Sequence, residues 1–566
     1  MTMAEAAATG RIWLRSYPPG VPAEIRTDEF ASIRAILERS CRRFSDLPAF
    51  TCMGGTLTYA QLDGLSRDFG SWLQNAAGLA KGARVALMMP NVLQYPVALF
   101  GALRAGLTVV NCNPLYTPRE LEYQLNDSGA DAIVILENFA RTLEEVVGRT
   151  RVRSVVTTQL GDLLGFPRSL LVNAVVKHVK KMVPRWSLPG ATSFPAALAH
   201  GRRNALTEPP LDHGDLAFLQ YTGGTTGVSK GAMLTHGNIV ANLQQVSAWI
   251  GAGLSEGREV VITALPMYHI FALTGGCLTN LKIGAHNILI TNPRDMPAFV
   301  KELARHPFSI ISGVNTLFNA LMNTPGFPDL DFRPLKVALG GGMAVQRAVA
   351  ERWKKITGKP LLEAYGLTET SPGACINPLV DGAEYNGTAG LPIPSTIVTI
   401  RDDDARILPV GETGEICIAG PQVMKGYWNR PEETAKVMTA DGAFRTGDIG
   451  VMTPEGYVRI VDRKKDMIVV SGFKVFPNEV EDVVAMMPGV REVCVVPAPD
   501  ERSGEAVRVV IVRKDPSLTK EQVIAHCRKE LTGYKVPHIV EFWDELPKSN
   551  VGKVLRREVR NVPPKP

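Results

Sequence analysis

Tyr221-Thr-Gly-Gly-Thr-Thr-Gly-Val-Ser-Lys-Gly-Ala232 gathers glycines, hydroxyls and one lysine directly behind the apolar run Leu216-Ala-Phe-Leu219. The pattern reads as a strand that enters a loop built to cradle phosphate. Gly223, Gly224 and Gly227 let backbone N–H groups approach anionic oxygens. Thr222, Thr225 and Thr226 add hydroxyl donors, and Lys230 adds a point charge. The loop is not a Walker A motif, because Lys230 follows Ser229 rather than glycine and is followed by Gly231 rather than Ser or Thr. A nucleotide is therefore expected, handled otherwise than in a P-loop NTPase.

Two other motifs compete for attention. Gly227-Val-Ser-Lys-Gly231 fits the G-x-S-x-G nucleophile elbow. That elbow is a tight turn directly between strand and helix, whereas Ser229 sits inside a long glycine-rich loop, so a hydrolase is disfavoured. Gly340-Gly-Gly342 follows the strand-like Leu335-Lys-Val-Ala-Leu339 and precedes a helical run, with Glu363 downstream, as in a dinucleotide fold. The G-x-G-x-x-G pattern fails at Val345, which leaves a strand-loop-helix ligand edge without an argument for NAD.

A chain of 566 residues exceeds what one hydrophobic core usually supports, so two or more domains are expected. Hydrophobic content of 45% and charged content of 21% suit a soluble globular protein, and a net charge of +6 does not suggest a nucleic-acid binder. The 8 cysteines are scattered without a C-x-x-C pair, which argues against zinc and disulfides and fits a reducing cytoplasm. Residues 1–10 lack the pattern of a signal peptide. Residues 260–281 carry no Asp, Glu, Lys or Arg, but Pro266, His269 and Gly275-Gly276 interrupt them; a buried strand-loop-helix is expected rather than a membrane span.

Strand-like and helix-period segments alternate through most of the chain, which predicts an α/β fold of layered subdomains. Strands are expected at Arg84-Val-Ala-Leu-Met-Met89, Thr108-Val-Val110 and Ala132-Ile-Val-Ile135, with a helix over residues 92–105. From about Gly382 shorter strands with Gly and Pro turns, such as Gly414-Glu-Ile-Cys-Ile-Ala-Gly420, predict a β-rich subdomain. Past the charged segment Asp462-Arg-Lys-Lys-Asp466 the chain reads strand, helix, strand, strand, helix. A large domain over 1–464 and a small α+β domain over 465–566 follow.

An insertion at 160–190 stands apart. Between Pro167 and Pro184, apolar Leu170, Leu171, Val172, Val175, Val176, Val179, Met182 and Val183 alternate with Arg168, Lys177, Lys180 and Lys181, and Arg185 follows. A basic amphipathic helix over residues 167–186 is predicted. It suits either a membrane surface or ordinary packing on the core with solvated lysines.

Further clusters lie downstream. Leu361-Leu-Glu-Ala-Tyr-Gly-Leu-Thr-Glu-Thr370 offers an aromatic ring for a base and an acid for a divalent cation. Phe444-Arg-Thr-Gly-Asp-Ile-Gly450 is read as a turn that presents Asp448 to sugar hydroxyls, and Pro547-Lys-Ser-Asn-Val-Gly-Lys553 as a turn that presents a lysine. In this order the set resembles the adenylate-forming superfamily of acyl-CoA synthetases, luciferases and peptide-synthetase adenylation domains, over roughly residues 30–560. Within it the chain is similar to the bacterial long-chain fatty-acyl-CoA synthetases. The stretch 441–465 matches their fatty-acyl signature except at Ala443 and Arg445, where Trp and His are usual.

The resemblance implies ATP, Mg²⁺ and CoA as reactants, and a role for each matching position. Tyr221 and residues 222–230, through Lys230, would embrace the β- and γ-phosphates. Gly340, Gly341, Gly342 and Tyr365 would hold adenine; Thr368 would touch the α-phosphate and Glu369 would bind Mg²⁺. Asp448 and Arg463 would take the ribose. Lys553 would bridge the acyl carboxylate and the α-phosphate, and His269 would lie near that carboxylate unless it is an ordinary loop histidine. Lys465 would be the hinge, with Gly472 and Lys474 lining the pantetheine tunnel; Gly472 also suits a plain turn.

The segment 266–271 holds no acid of the kind that amino-acid-activating relatives use to grip an amine, so a fatty acid is the expected substrate. Phe308-Ser-Ile-Ile311 and Leu317-Phe-Asn-Ala-Leu-Met322 suit an acyl channel or plain core. The leading expectation is an ATP-dependent long-chain fatty acid–CoA ligase in the cytoplasm, with a peripheral membrane contact and a homodimer both compatible. A fatty-acyl-AMP ligase loading a carrier protein is the close rival, although no room for its usual insertion is evident between Glu369 and Asp448. A non-catalytic acyl- or nucleotide-binding protein is a third reading, opposed by the intact Lys230, Glu369, Asp448, Arg463 and Lys553.

Overall fold

A computed structural model describes residues 10–222, 229–380, 382–471, 473–500, 502–549 and 552–564. Among these, the strands assemble into four sheets. The first runs Thr192–Ser193, Ser154–Thr158, Ala132–Leu136, Arg84–Met88, Thr108–Asn111, Leu216–Thr222 and Lys230–Thr235. It is parallel up to its last pair, where Leu216–Thr222 and Lys230–Thr235 form an antiparallel hairpin. Helix Gln94–Arg104 is buried at every position, as a helix wedged between layers must be.

The second sheet has nine strands. Its parallel centre carries Val260–Thr263, Ile310–Gly313, Val337–Gly341 and Leu362–Gly366 side by side. Residues beyond Val260–Thr263 turn into a wide helical coil at Ala272–Leu278, and no helix among the described residues is long and apolar enough to cross a membrane. The runs near 308 and 317 are buried in one apolar cluster, where Phe318, Phe327, Phe332 and Trp353 pack edge-on and tilted against one another.

The third sheet is antiparallel, in the order Ile397–Arg401, Thr413–Ala419, Phe444–Met452, Val458–Arg463. Its last strand leads through the turn 464–466 into a fourth sheet with a separate apolar core. That sheet holds Ile468–Val470, Phe473–Val475, Val490–Asp500 and Gly504–Arg513, with helices Pro477–Ala485 and Lys520–Glu530. A parallel strand, Ile539–Trp543, is added beside Gly504–Arg513 beyond the expected order.

The helix expected over 167–186 is shorter. An α-helix spans Arg168–Ala174, a wide turn continues through Val179, and Lys181 takes a left-handed φ of 51°. Val176 is buried and Val172 packs on the core, whereas Phe166, Leu170, Leu171, Val179 and Met182 face outward.

Candidate active site

The hairpin that ends Leu216–Thr222 places Thr222 opposite Lys230. Ser229 therefore lies between two antiparallel strands, not between strand and helix. Its hydroxyl is spent on Thr222 O (2.6 Å), which removes it as a nucleophile. Gly223, Gly224, Thr225, Thr226 and Gly227 lie outside the described residues, as does Gly472. The base of the loop is pinned from helix Pro118–Ser128. Tyr123 donates to Ser229 O (2.8 Å), and Tyr221 donates to Asp127 Oδ2 (2.7 Å). Arg430 and Trp428 bind the same aspartate.

Lys230 pairs with Glu433 and lies 5.2 Å from the centre of the Tyr427 ring. The Tyr427 hydroxyl donates to Glu369 Oε1 (2.7 Å). Glu369 is only 8% exposed, and burial raises its pKa against the help of Tyr427. Tyr427 and Glu433 carried no signal in the sequence; the fold alone connects them to Lys230 and Glu369.

Asp448 sits within strand Phe444–Met452 rather than in the expected turn. Gly447, at a φ of 72°, bends that strand, which is why a turn-like sequence stays in the sheet. Asp448 is 4% exposed, accepts the Tyr365 hydroxyl at Oδ2 (2.7 Å), and pairs with Arg463 Nε through Oδ1 (3.1 Å). Tyr365 ends the neighbouring strand Leu362–Gly366. These two partners offset the cost of burying the carboxylate. Ala443 is enclosed, and Arg445 is occupied by Glu415 (2.6 Å), whose other oxygen accepts Gly447 N–H (3.1 Å).

Gly340 and Gly341 lie in register with Glu363 and Ala364. A Cβ on Gly341 would come within 3.1 Å of the Phe271 ring and press against it, so a glycine lets residues 269–271 pack closely on this edge. Gly342 takes a φ of 76° and turns the chain away from the sheet. Glu363 accepts Val345 N–H (3.2 Å), and burial pushes its carboxyl up to about 8. Thr368 opens a short helical turn, Thr368–Thr370.

Lys553 enters this site from the other side of the turn 464–466. Ser549 N–H bonds Lys553 O (2.7 Å), and Gly552 O accepts the Thr316 hydroxyl (2.7 Å). Burial first, then the charge of Arg463, pulls Lys553 down to about 8, while Asp448 opposes the fall. Burial, aided by Lys553, also lowers His269 to about 4, so its ring is neutral at pH 7. His269, Asp448, Arg463 and Lys553 thus share one electrostatic neighbourhood, with Tyr365 and Glu369 on its wall. Lys474 stands apart on an exposed strand, near enough to Asp403 to lower its pKa after Lys464 does. Lys465 is exposed in its turn.

Arg556 and Asp462 also gather here, unannounced by the sequence. Asp462 accepts Arg556 at Oδ1 (3.1 Å) and Asn478 N–H at Oδ2 (2.8 Å), and its side chain is wholly enclosed. Stripping a buried carboxylate of its cation costs about 3–5 kcal/mol.

The four sheets and the cluster of Tyr365, Glu369, Asp448, Arg463 and Lys553 accord with an acid-activating class of enzyme. The chain belongs to the AMP-binding enzyme family, whose model matches residues 37–428; the AMP-binding enzyme C-terminal domain matches residues 479–553. Among curated proteins it is 58% identical to a long-chain-fatty-acid–CoA ligase of Escherichia coli O6:H1, across 97% of this chain and 98% of that one. It is 51% identical to the enzyme of the same name from Haemophilus influenzae, again over 97% and 98%. Among solved structures, ATP-bound MatB from Rhodopseudomonas palustris superposes with a TM-score of 0.77 at 28% identity, covering 94% of this chain and 98% of that one.

Proposed function

We propose that the chain is an ATP-dependent long-chain fatty acid–CoA ligase. In the first step a carboxylate oxygen attacks the α-phosphorus of ATP, the bond to pyrophosphate breaks, and acyl-AMP forms. In the second the CoA thiol, losing its proton, attacks the acyl carbonyl and AMP leaves. The observation that carries the reading is Lys553 within electrostatic reach of Arg463, Asp448 and neutral His269, with its turn tied to Thr316 through Gly552 O. Two anionic reactants must meet here, so fixed positive charge and preorganised donors dominate the barrier.

Each group then has a task. Tyr365 and Gly340–Gly342 would border the base, while Asp448, held by Tyr365 and Arg463, would accept the ribose hydroxyls. Thr368 would meet the α-phosphate, and Lys230 would exchange Glu433 for phosphate oxygens. Glu369 would hold Mg²⁺ through its buried carboxylate, whose Oε1 already accepts the Tyr427 hydroxyl. Mg²⁺ commonly takes one or two carboxylates and completes its shell with phosphates and water. When bound, it would neutralise charge on the triphosphate. His269, uncharged, leaves the incoming carboxylate to Lys553.

Lys474 lies away from this neighbourhood, while Lys553 lies in it. A small unit over 465–566 that rotates about Lys465 would exchange the two between half-reactions. Exposed Phe166, Leu170, Leu171, Val179 and Met182, flanked by exposed Lys177, Lys180, Lys181 and Arg185, support a contact with an anionic membrane surface, where a long-chain acid resides. The test is product analysis with ATP, Mg²⁺, CoA and palmitate. AMP and palmitoyl-CoA in equal amounts are expected; ADP, or acyl-AMP with no thioester, would reject the ligase.

A further inference from the structure

Lys553 is useful only if the unit that carries it is held in register with Asp448 and Arg463, and the structure contains a device for doing so. Asp462 precedes the turn 464–466, in the strand Val458–Arg463, which pairs with the strand of Asp448. Both of its partners from outside that strand come from beyond the turn. One is the N–H of Asn478, in the first turn of helix Pro477–Ala485. The other is Arg556, which opens helix Arg556–Asn561 three positions after Lys553.

The rest of Arg556 is tied to its own unit. Its guanidinium also reaches Glu481 Oε2 (2.7 Å) and the Asn478 side chain, and lies 3.7 Å from Asp466. Asn478 returns a bond to Val461 O (3.3 Å). The helix behind Arg556 is fastened to the sheet by Arg508, which binds Val559 O and Val562 O while paired with Glu541. Lys553 therefore stands between two clamps from the N-terminal part: Thr316 on Gly552 O, and Asp462 on Arg556.

We infer that Asp462 and Arg556 form a latch across the turn 464–466, which seats Lys553 for acyl-AMP formation and opens for the thioester step. The inference rests on the ligase reading above. Arg556 acts through Lys553 and is a positioning residue. Glu481 alone would suffice if Arg556 served only to brace its own unit; Asp462 has no part in such bracing.

The test uses the full-length variants Asp462→Asn and Arg556→Lys, with Lys553→Ala as reference. Two half-reactions are read separately: palmitate-dependent ATP–pyrophosphate exchange, and palmitoyl-CoA formation from supplied palmitoyl-AMP. A misplacement of about 1 Å costs roughly 100-fold, so exchange is expected to fall by about 10- to 100-fold in both variants, with the thioester step within about twofold of the parent. Asp462→Asn preserves the pairing of Arg556 with Glu481, which guards against simple unfolding. Equal loss in both steps, or no loss in exchange, would overturn the latch. Exchange retained by Lys553→Ala would overturn the role of Lys553 itself, and the latch with it.

Discussion

The cleft and the surface at 166–185 both bring lysine and arginine close to apolar residues, with opposite results. In the cleft Arg463, Lys230 and Arg556 each face a carboxylate, and burial shifts Lys553 and His269 downward. At 166–185 it is the apolar side chains that lie open, with Phe166 85% and Val179 73% exposed, while Lys180, Lys181 and Arg185 extend into solvent beside them. Enclosure shifts the proton affinity of a cationic group, whereas exposure beside bare apolar surface leaves it solvated. Charge alone does not distinguish the two; neighbours do.

The largest effect within this comparison is expected from Asp448→Asn. It removes the carboxylate that Arg463 faces and that is proposed to accept the ribose, and kcat/KM for ATP should fall by roughly 100-fold. The same change should move the pH profile. Lys553 acts as a cation, so kcat/KM for ATP in the parent should decline as pH rises through about 8. Asp448 supports that charge, so its neutralisation should shift the declining limb to lower pH. A limb that stays in place would separate Asp448 from Lys553. Glu369→Gln comes next, with an expected rise of about 10-fold in the Mg²⁺ needed for half-maximal rate; an unchanged requirement would move the metal elsewhere.

The smallest effect on chemistry, and the largest on location, belongs to the exposed face. Phe166→Ser with Leu170→Ser and Leu171→Ser should weaken partition onto anionic vesicles by about 10-fold or more, as lost apolar burial dictates. Turnover of a soluble short-chain acid should stay within about twofold. Undiminished vesicle binding would return this face to ordinary surface.

Much of the cleft was legible because its parts are local in sequence. The strand that ends at Thr222, the glycines at 340–342 and the turn before Lys553 each announce themselves within a few residues, whereas the return strand Lys230–Thr235 does not. What stayed hidden depends on tertiary partners. Arg556 and Asp462 are 94 positions apart, and Lys230 and Glu433 are 203. Asp448 looked like a turn residue because Gly447 signals one; sheet pairing on both sides kept it in a strand. The helix at 168 ended early because only Val172 and Val176 found the core, and three or four turns cannot persist in water on propensity alone.

The central claim is that one cleft runs two reactions and that Lys553 belongs to the first. Single-turnover analysis of Lys553→Ala tests it most directly, by measuring acyl-AMP formation from ATP and palmitate, then thioester formation from supplied palmitoyl-AMP and CoA. The account predicts a loss of roughly 100- to 1,000-fold in the first step and a second step close to the parent. Equal losses in both steps would contradict it.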